Sequence, residues 1–220
     1  PQINICDSRV TVLQQQTQRA HELEKNLYDL EHGIWEHFEE CARLLQSFDY
    51  LNENWQPTFD GIWAANLRVE NTLFMAELVR ANYFATSDPR ELAALVGALA
   101  AGDRQIEVEY QEGEESFFLP FKNAVKIART ISKLQDHAGL YFPIILDGDA
   151  GRLLWRWADN NIDWEGLFQE VYADDGDVVR LILRTADLLR QLTALYEAFP
   201  QLSDTASKAI NLIRRPPIDD

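Results

Sequence analysis

Residues 23–48, LEKNLYDLEHGIWEHFEECARLLQSF, carry the periodic pattern that decides the fold class of this 220-residue chain. A set of mostly apolar residues, which we call the heptad seam, recurs at alternating intervals of four and three residues. Its members are Leu23, Leu27, Leu30, Ile34, His37, Cys41, Leu44 and Phe48. This heptad spacing puts the side chains in one stripe of a helix. We predict a helix from about residue 8 to about residue 49, capped by Asp7 or Ser8. A helix of roughly 60 Å must pack on another helix, on a part of a longer protein or on a second copy of itself.

The rest of the chain predicts an all-α helical bundle with almost no strand. Helix start signals stand at Thr58, at Ser87 or Asp88, at Asp163 and at Asp177. Further helices are expected over about 120–139, 149–159 and 203–214, and the Asn-rich turn near residues 50–58 predicts at most a short winged-helix-like hairpin. Six acidic residues within 102–116 indicate an exposed loop. We therefore expect two parts, a heptad helix at 1–50 and a helical bundle at 51–220.

Composition and charge exclude several classes of protein. Hydrophobic residues make up 46% and charged residues 25%, as in ordinary folded proteins. No apolar run approaches the roughly 18 residues of a membrane span. The net charge of −16 disfavours coating of nucleic acid by bulk charge, so any such contact must be local. Two cysteines, Cys6 and Cys41, are more simply free thiols of a reducing compartment than a bridge, and we expect a cytoplasmic protein.

Catalytic and metal-binding motifs are missing from the sequence. There is no phosphate-cradling loop and no nucleophile elbow. His32 and His37 are five residues apart, about 140° around a helix, so they cannot share a metal. We expect His37 to be a packed or register-setting polar residue of the seam rather than a ligand. Asp147 and Asp149 are explained by turn and cap roles. The chain is not expected to be an enzyme by itself, and because it begins at Pro1 and its only methionine is Met75, we expect it to be part of a longer protein.

Three segments carry a resemblance to a known family. They are LLQSFDYL (44–51) with TFDG (58–61), SDPRELAALVGAL (87–99) after Ala76-Glu77-Leu78, and WRWA (155–158) with GDVVRLILR (176–184) and DLLRQL (187–192). In order and spacing they resemble the C-terminal helical domain of the superkiller and exosome-assisting DExH-box RNA helicases of superfamily II. Two departures are Ile62, where the family often has a basic residue, and Val69-Glu70-Asn71, where it has a glycine and an acidic residue.

The resemblance implies a non-catalytic domain that closes over a RecA-like core and guides single-stranded RNA in RNA processing or degradation. Residues 51–220 would be this domain, and residues 1–50 a stalk or connection. ATP and Mg would belong to the core of the parent helicase, which is absent here, and no cofactor is expected in this chain. By resemblance Arg180 and Arg184 face the RNA. Helical spacing is compatible, because it groups them with Asp187 and Gln191 opposite an apolar face of Ile182, Leu189, Leu192 and Tyr196.

Alternatives to this interpretation stay open. Arg184 and Asp187 can instead form a solvated ion pair at i,i+3. Trp155 and Trp157 can stack on bases, although core packing is the simpler role. The heptad seam can serve a dimerisation or partner-docking module with no nucleic-acid role, and the domain can also act by regulating a helicase core. Because acidic residues outnumber basic ones, the RecA-like core of the parent helicase would have to supply most phosphate contacts. The isolated chain should therefore bind single-stranded RNA weakly or not at all.

Overall fold

A long N-terminal helix, α1, runs from Gln2 to Ser47. The structure is a computed structural model that describes the backbone at residues 2–101, 106–109, 115–169 and 171–218, and the side chains at these positions except 2–15, 25, 28–32 and 115–119. With 46 residues α1 is about 70 Å long at about 1.5 Å per residue. It begins before Asp7 and Ser8, so the prediction that one of them caps it is wrong.

Among the described side chains of α1, those at its C-terminal end pack on the rest of the protein. Ala42 and Leu44 are buried, and Cys41, Leu45 and Phe48 lie at the edge of the core. Farther towards the N-terminus, seam residues are largely exposed, at 62% for Leu23, 59% for Leu27 and 72% for Ile34. The predicted Leu30 lies outside the described side chains. Within the described part of the chain, the N-terminal half of the stripe therefore has no apolar partner.

A short connection joins α1 to two helices, α2 (Phe59–Ala64) and α3 (Thr72–Arg80). Leu51 and Pro57 form an antiparallel bridge, as expected for a hairpin near 50–58. Gly61 is required here, since a Cβ atom on it would lie 2.1 Å from the Tyr50 carbonyl oxygen. Arg80 donates to the Phe48 carbonyl oxygen at 2.7 Å and pairs with Glu77 at 2.9 Å. These contacts fix the end of α1 on the bundle.

The helix α4 (Pro89–Gly97) forms the centre of the bundle. All residues from 92 to 101 are buried. Around α4 pack α5 (Glu115–His137), α6 (Gly148–Trp157), α8 (Asp175–Thr193) and α9 (Pro200–Ile213), with the single-turn α7 (Trp164–Leu167) between α6 and α8. The protein is mostly helical, which confirms the predicted all-α class. None of the described helices combines the length and apolar character needed to cross a membrane.

Side-chain caps account for several of the helix starts. Thr58, Asp88, Asp147 and Asp163 each accept a hydrogen bond from a backbone N–H of the first turn of their helix. Such bonds satisfy donors that have no partner within the helix. The expectation that Asp177 caps α8 is wrong, because α8 begins at Asp175 and its N-cap is Asp174.

A small sheet interrupts the helices. Strand β1 (Glu107–Val108) pairs antiparallel with β2 (Val171–Tyr172), with Val108 opposite Val171. Ile106, Val108 and Val171 are buried, so the expectation of an exposed loop over 102–116 is wrong for this part of it. Residues 102–105 and 110–114 of that predicted loop lie outside the described residues.

Candidate nucleic-acid interface

The helix α8 presents a polar face to solvent and an apolar face to the core. Its buried residues are Val178, Leu181, Ile182, Thr185, Ala186, Leu189 and Leu192. Arg180, Arg184 and Asp187 are all exposed, on the side that the helical spacing predicts. Tyr196, expected among the apolar residues, is 61% exposed because it lies beyond the end of α8. The two arginines are therefore accessible to a ligand.

The ion pairs on this face of α8 do not include the Arg184–Asp187 pair that the sequence allowed. Arg180 lies 3.3 Å from Asp177, and its side chain is 59% exposed, so solvent screens this contact. The carboxylate of Asp187 accepts a hydrogen bond from Arg190, not from Arg184. Within the described part of the chain Arg184 makes no ion pair. Its guanidinium is left with donors that a ligand can use.

Beside Arg184 lies a cavity of about 270 Å³ between α3, the end of α4 and α8. Its floor is apolar and buried, and consists of Phe74, Met75, Leu99, Ala100 and Ala101. Its polar rim carries two cations and two anions, Arg68, Arg184, Glu70 and Asp187. An apolar floor with a few polar groups at the edge is typical of a site for a small molecule or an inserted group.

Hydrogen bonds fix the loop that carries Arg68. The backbone N–H of Arg68 donates to Gln191 Oε1 on α8 at 3.1 Å. Asn71 caps α3 by accepting from the Phe74 N–H at 2.9 Å, and its Nδ2 donates to the Phe142 carbonyl oxygen at 3.1 Å. The loop is thus joined to α8 on one side and to the segment after α5 on the other, so the cavity is preformed.

Trp157 and Trp155 make different contacts. Trp157 is fully buried, and its Nε1 donates to the Ile213 carbonyl oxygen at 2.7 Å. Trp155 is half-buried, with the guanidinium of Arg90 lying 4.3 Å from its ring centroid. For Trp157 the core role expected from the sequence is therefore confirmed.

A larger cavity of about 650 Å³ lies between the end of α3 and the start of α9. Its one lysine, Lys208, is 2.6 Å from Asp204 Oδ2. Because Lys208 and Asp204 are the described charged residues that line it, this cavity offers an anionic strand fewer cationic donors than the face of α8 does.

The described histidine, cysteine and carboxylate side chains do not form a metal or nucleophile site. Among the described residues, no three His, Cys, Asp or Glu side chains come together as a metal site. Burial, reinforced by Glu40, raises the pKa of the Cys41 thiol, so it is not an activated nucleophile. His37 is exposed and its ring centroid lies 6.3 Å from that of Phe142, so it is not a packed residue, and a register-setting role in the seam stays a prediction.

Comparisons with known proteins agree with the resemblance read from the sequence. The family model of the DSHCT (NUC185) domain matches residues 54–220. The chain is 27% identical over 210 residues to the "DExH-box ATP-dependent RNA helicase DExH15 chloroplastic" of Arabidopsis thaliana. The matched region covers 92% of this chain and 18% of that relative. The family match begins at residue 54, and the expected division at residue 50 stays a prediction.

Proposed function

The chain belongs to the DSHCT family of helicase C-terminal domains, and from this membership we propose that it is the non-catalytic helical domain of an ATP-dependent RNA helicase. In this role it closes over a RecA-like core and guides single-stranded RNA during RNA processing or degradation. Hydrolysis of ATP with Mg belongs to that core. Arg180 and Arg184 are the residues of this chain that contact the RNA, and the protein works in the cytoplasm.

One observation carries the assignment of the RNA contact. Arg184 is exposed, makes no ion pair within the described residues, and lies one helical turn from Arg180 on the same face of α8. A guanidinium donates to phosphate oxygens in a planar fork and also stacks on bases. The two arginines therefore form a row that an extended strand can follow along α8.

The overall negative charge is compatible with this assignment when the contact is local. The chain has 36 acidic and 20 basic residues, so it repels a polyanion at long range. At 0.15 M salt the Debye length is about 8 Å, and a contact made by exposed arginines is then decided by the groups nearest to it. Most of the phosphate contacts are expected to come from the RecA-like core of the helicase.

The test is RNA binding by the intact protein that carries this chain. Fluorescence anisotropy with a labelled 20-nucleotide RNA would compare Arg180→Ala, Arg184→Ala and the double variant with the unchanged protein. A hydrogen bond to a charged group is worth about 1.5–3 kcal/mol, so each substitution should weaken binding about tenfold or more. Each lost phosphate contact should also lower the salt slope by about one.

Arg129→Ala is the matched control. Arg129 is an exposed arginine of α5 and does not line the cavity, so its loss changes the net charge equally without touching α8. If the double variant bound RNA as tightly as this control, the assignment of Arg180 and Arg184 would be wrong.

The exposed seam of α1 favours a second candidate function, dimerisation or partner docking through the heptad helix. Leu27 and Ile34 are 59% and 72% exposed, an unusual state for seam positions. If the seam forms a dimer, Leu27→Asp plus Ile34→Asp should convert dimer to monomer in light scattering. Gln18→Asp plus His21→Asp adds the same charges on the opposite face of α1 and should leave the mass unchanged. A monomer in every case would exclude the dimer.

A further inference from the structure

We propose that the cavity between α3 and α8 binds one unstacked base of the RNA strand, with Arg68 and Arg184 on its rim. This inference rests on the proposed function, and it adds a residue, Arg68, and a ligand group that α8 alone does not define. The cavity is lined by both arginines and by the apolar floor that includes Phe74 and Met75.

The size of the cavity fits a base. Pockets that bury drug-sized ligands have about 300–1,000 Å³, and this one has about 270 Å³. A single planar ring is therefore a better match than a whole nucleoside triphosphate. The buried side chains of Phe74 and Met75 and the adjoining Pro143 provide an apolar surface for such a ring.

The charge of the rim also favours a neutral ring over a phosphate group. Arg68 and Arg184 are balanced by Glu70 and Asp187, so the formal charge of these four groups is zero. A phosphate inside the cavity would face two carboxylates, whereas a base is uncharged and can stack on either guanidinium plane. The phosphates of the same strand would then stay outside, towards Arg180.

The site is built before the ligand arrives. Gln191 on α8 holds the backbone of Arg68 at 3.1 Å, and Asn71, which is 8% exposed, holds the loop against the Phe142 carbonyl oxygen. A preformed site does not have to order its loop when the base enters. Neither Arg68 nor Arg184 makes an ion pair within the described residues, so both guanidinium planes are available.

The experiment compares strands with and without bases. The probes are a 20-nucleotide RNA and a strand of the same length whose central sugars carry no base, so the phosphates are equal. In the intact protein, Arg68→Ala should weaken binding of the complete RNA about tenfold, the effect of losing one base stack. Binding of the abasic strand should change less than twofold, and Arg129→Ala should affect neither probe.

Arg68→Lys separates stacking from simple charge attraction. Lysine keeps the charge and loses the plane, so it should behave like alanine towards the complete RNA. Full rescue by lysine, or equal losses for both strands in Arg68→Ala, would assign Arg68 to a phosphate and overturn the proposal. If AMP bound as tightly as the strand and lost binding in Arg68→Ala, the cavity would be a free-nucleotide site, which also overturns it.

The outcomes distinguish this inference from the proposed function. Arg68→Ala without effect, while Arg180→Ala and Arg184→Ala weaken binding, would refute the base site and leave the proposed function standing. Unchanged binding in all three variants would refute both.

Discussion

Gly97 of α4 packs closely against Leu154 of α6 in the core, and Gly97→Ala tests this contact. A Cβ atom on Gly97 would lie 2.7 Å from Leu154 Cγ, 2.9 Å from its Cβ and 3.1 Å from its Cδ2. The Cγ and Cδ2 atoms can move by a rotamer change, but Cβ is attached directly to the backbone of α6. The two helices must therefore shift apart in the variant.

The net effect is the difference between two terms. Overpacking a well-packed core costs about 1–3 kcal/mol. Replacing a helical glycine by alanine returns up to about 1 kcal/mol, and less here because Gly97 is the last residue of α4. We expect Gly97→Ala to lower the free energy of unfolding by about 1–2 kcal/mol, or the melting temperature by about 2–8 °C for a chain of this size.

Urea unfolding followed by circular dichroism measures this loss. The control is Gly176→Ala in the first turn of α8, where an added Cβ meets no atom within 4 Å. That variant should be as stable as the unchanged protein or slightly more stable. Adding Leu154→Ala to Gly97→Ala should cost less than the sum of the single changes. A Gly97→Ala protein that is more stable than the original would refute the close packing of α4 on α6.

Two further predictions concern the region around Trp157. Arg215 donates from Nη2 to the carbonyl oxygens of Trp157 and Ile162, both at 2.6 Å, and its guanidinium lies 3.9 Å from the Trp157 ring centroid. Arg215→Ala should lower the free energy of unfolding by about 2–3 kcal/mol in urea, with Arg215→Lys intermediate, and equal stability of all three would contradict these contacts. The Asn161 backbone N–H, together with Arg90 at 3.1 Å, holds the pKa of Asp159 below its usual value. The stabilisation that the ionised Asp159 carboxylate provides is complete above its pKa in the unfolded chain, about 4. It is lost as pH falls through the lower pKa of the folded state. Between pH 6 and 3, Asp159→Asn should therefore show a smaller fall in melting temperature than the unchanged protein, and parallel falls would disprove the role of Asp159.

Helix starts were predictable where one polar residue precedes an apolar run. Thr58 and Asp163 are the clear capping residues in their turns, and both cap the helix that follows. Residues 174–177 contain three aspartates, and propensity alone does not choose among them, so the N-cap expected at Asp177 is three residues later than the observed N-cap, Asp174. The small sheet was not predictable, because Val108 finds its partner Val171 only through the tertiary fold.

The heptad pattern predicted a stripe but not its partner. The spacing made Leu23, Leu27 and Ile34 equivalent to Leu44, whereas only Leu44 of these four is buried. Periodicity indicates which side chains share a face of a helix, whereas burial requires another part of the molecule to pack against that face. This is why the length of α1 was largely predictable and its packing was not.

The candidate site was predictable in part for a similar reason. The spacing within α8 was enough to group Arg180 and Arg184 on one exposed face. Arg68 stands in a loop more than a hundred residues earlier, and neither its spacing nor its neighbours in sequence indicate that it shares a cavity with α8. The bond from its backbone to Gln191 is a property of the folded bundle.

The most direct test of the account is to find where the strand lies on the protein. A 20-nucleotide RNA with 4-thiouridine at defined positions, irradiated with the intact protein, would form crosslinks that mass spectrometry assigns to peptides. Crosslinks are expected in α8, between Asp175 and Thr193, and in the loop at residues 65–71. Crosslinks confined to the cavity between α3 and α9, around Lys208, or to α1 would contradict it.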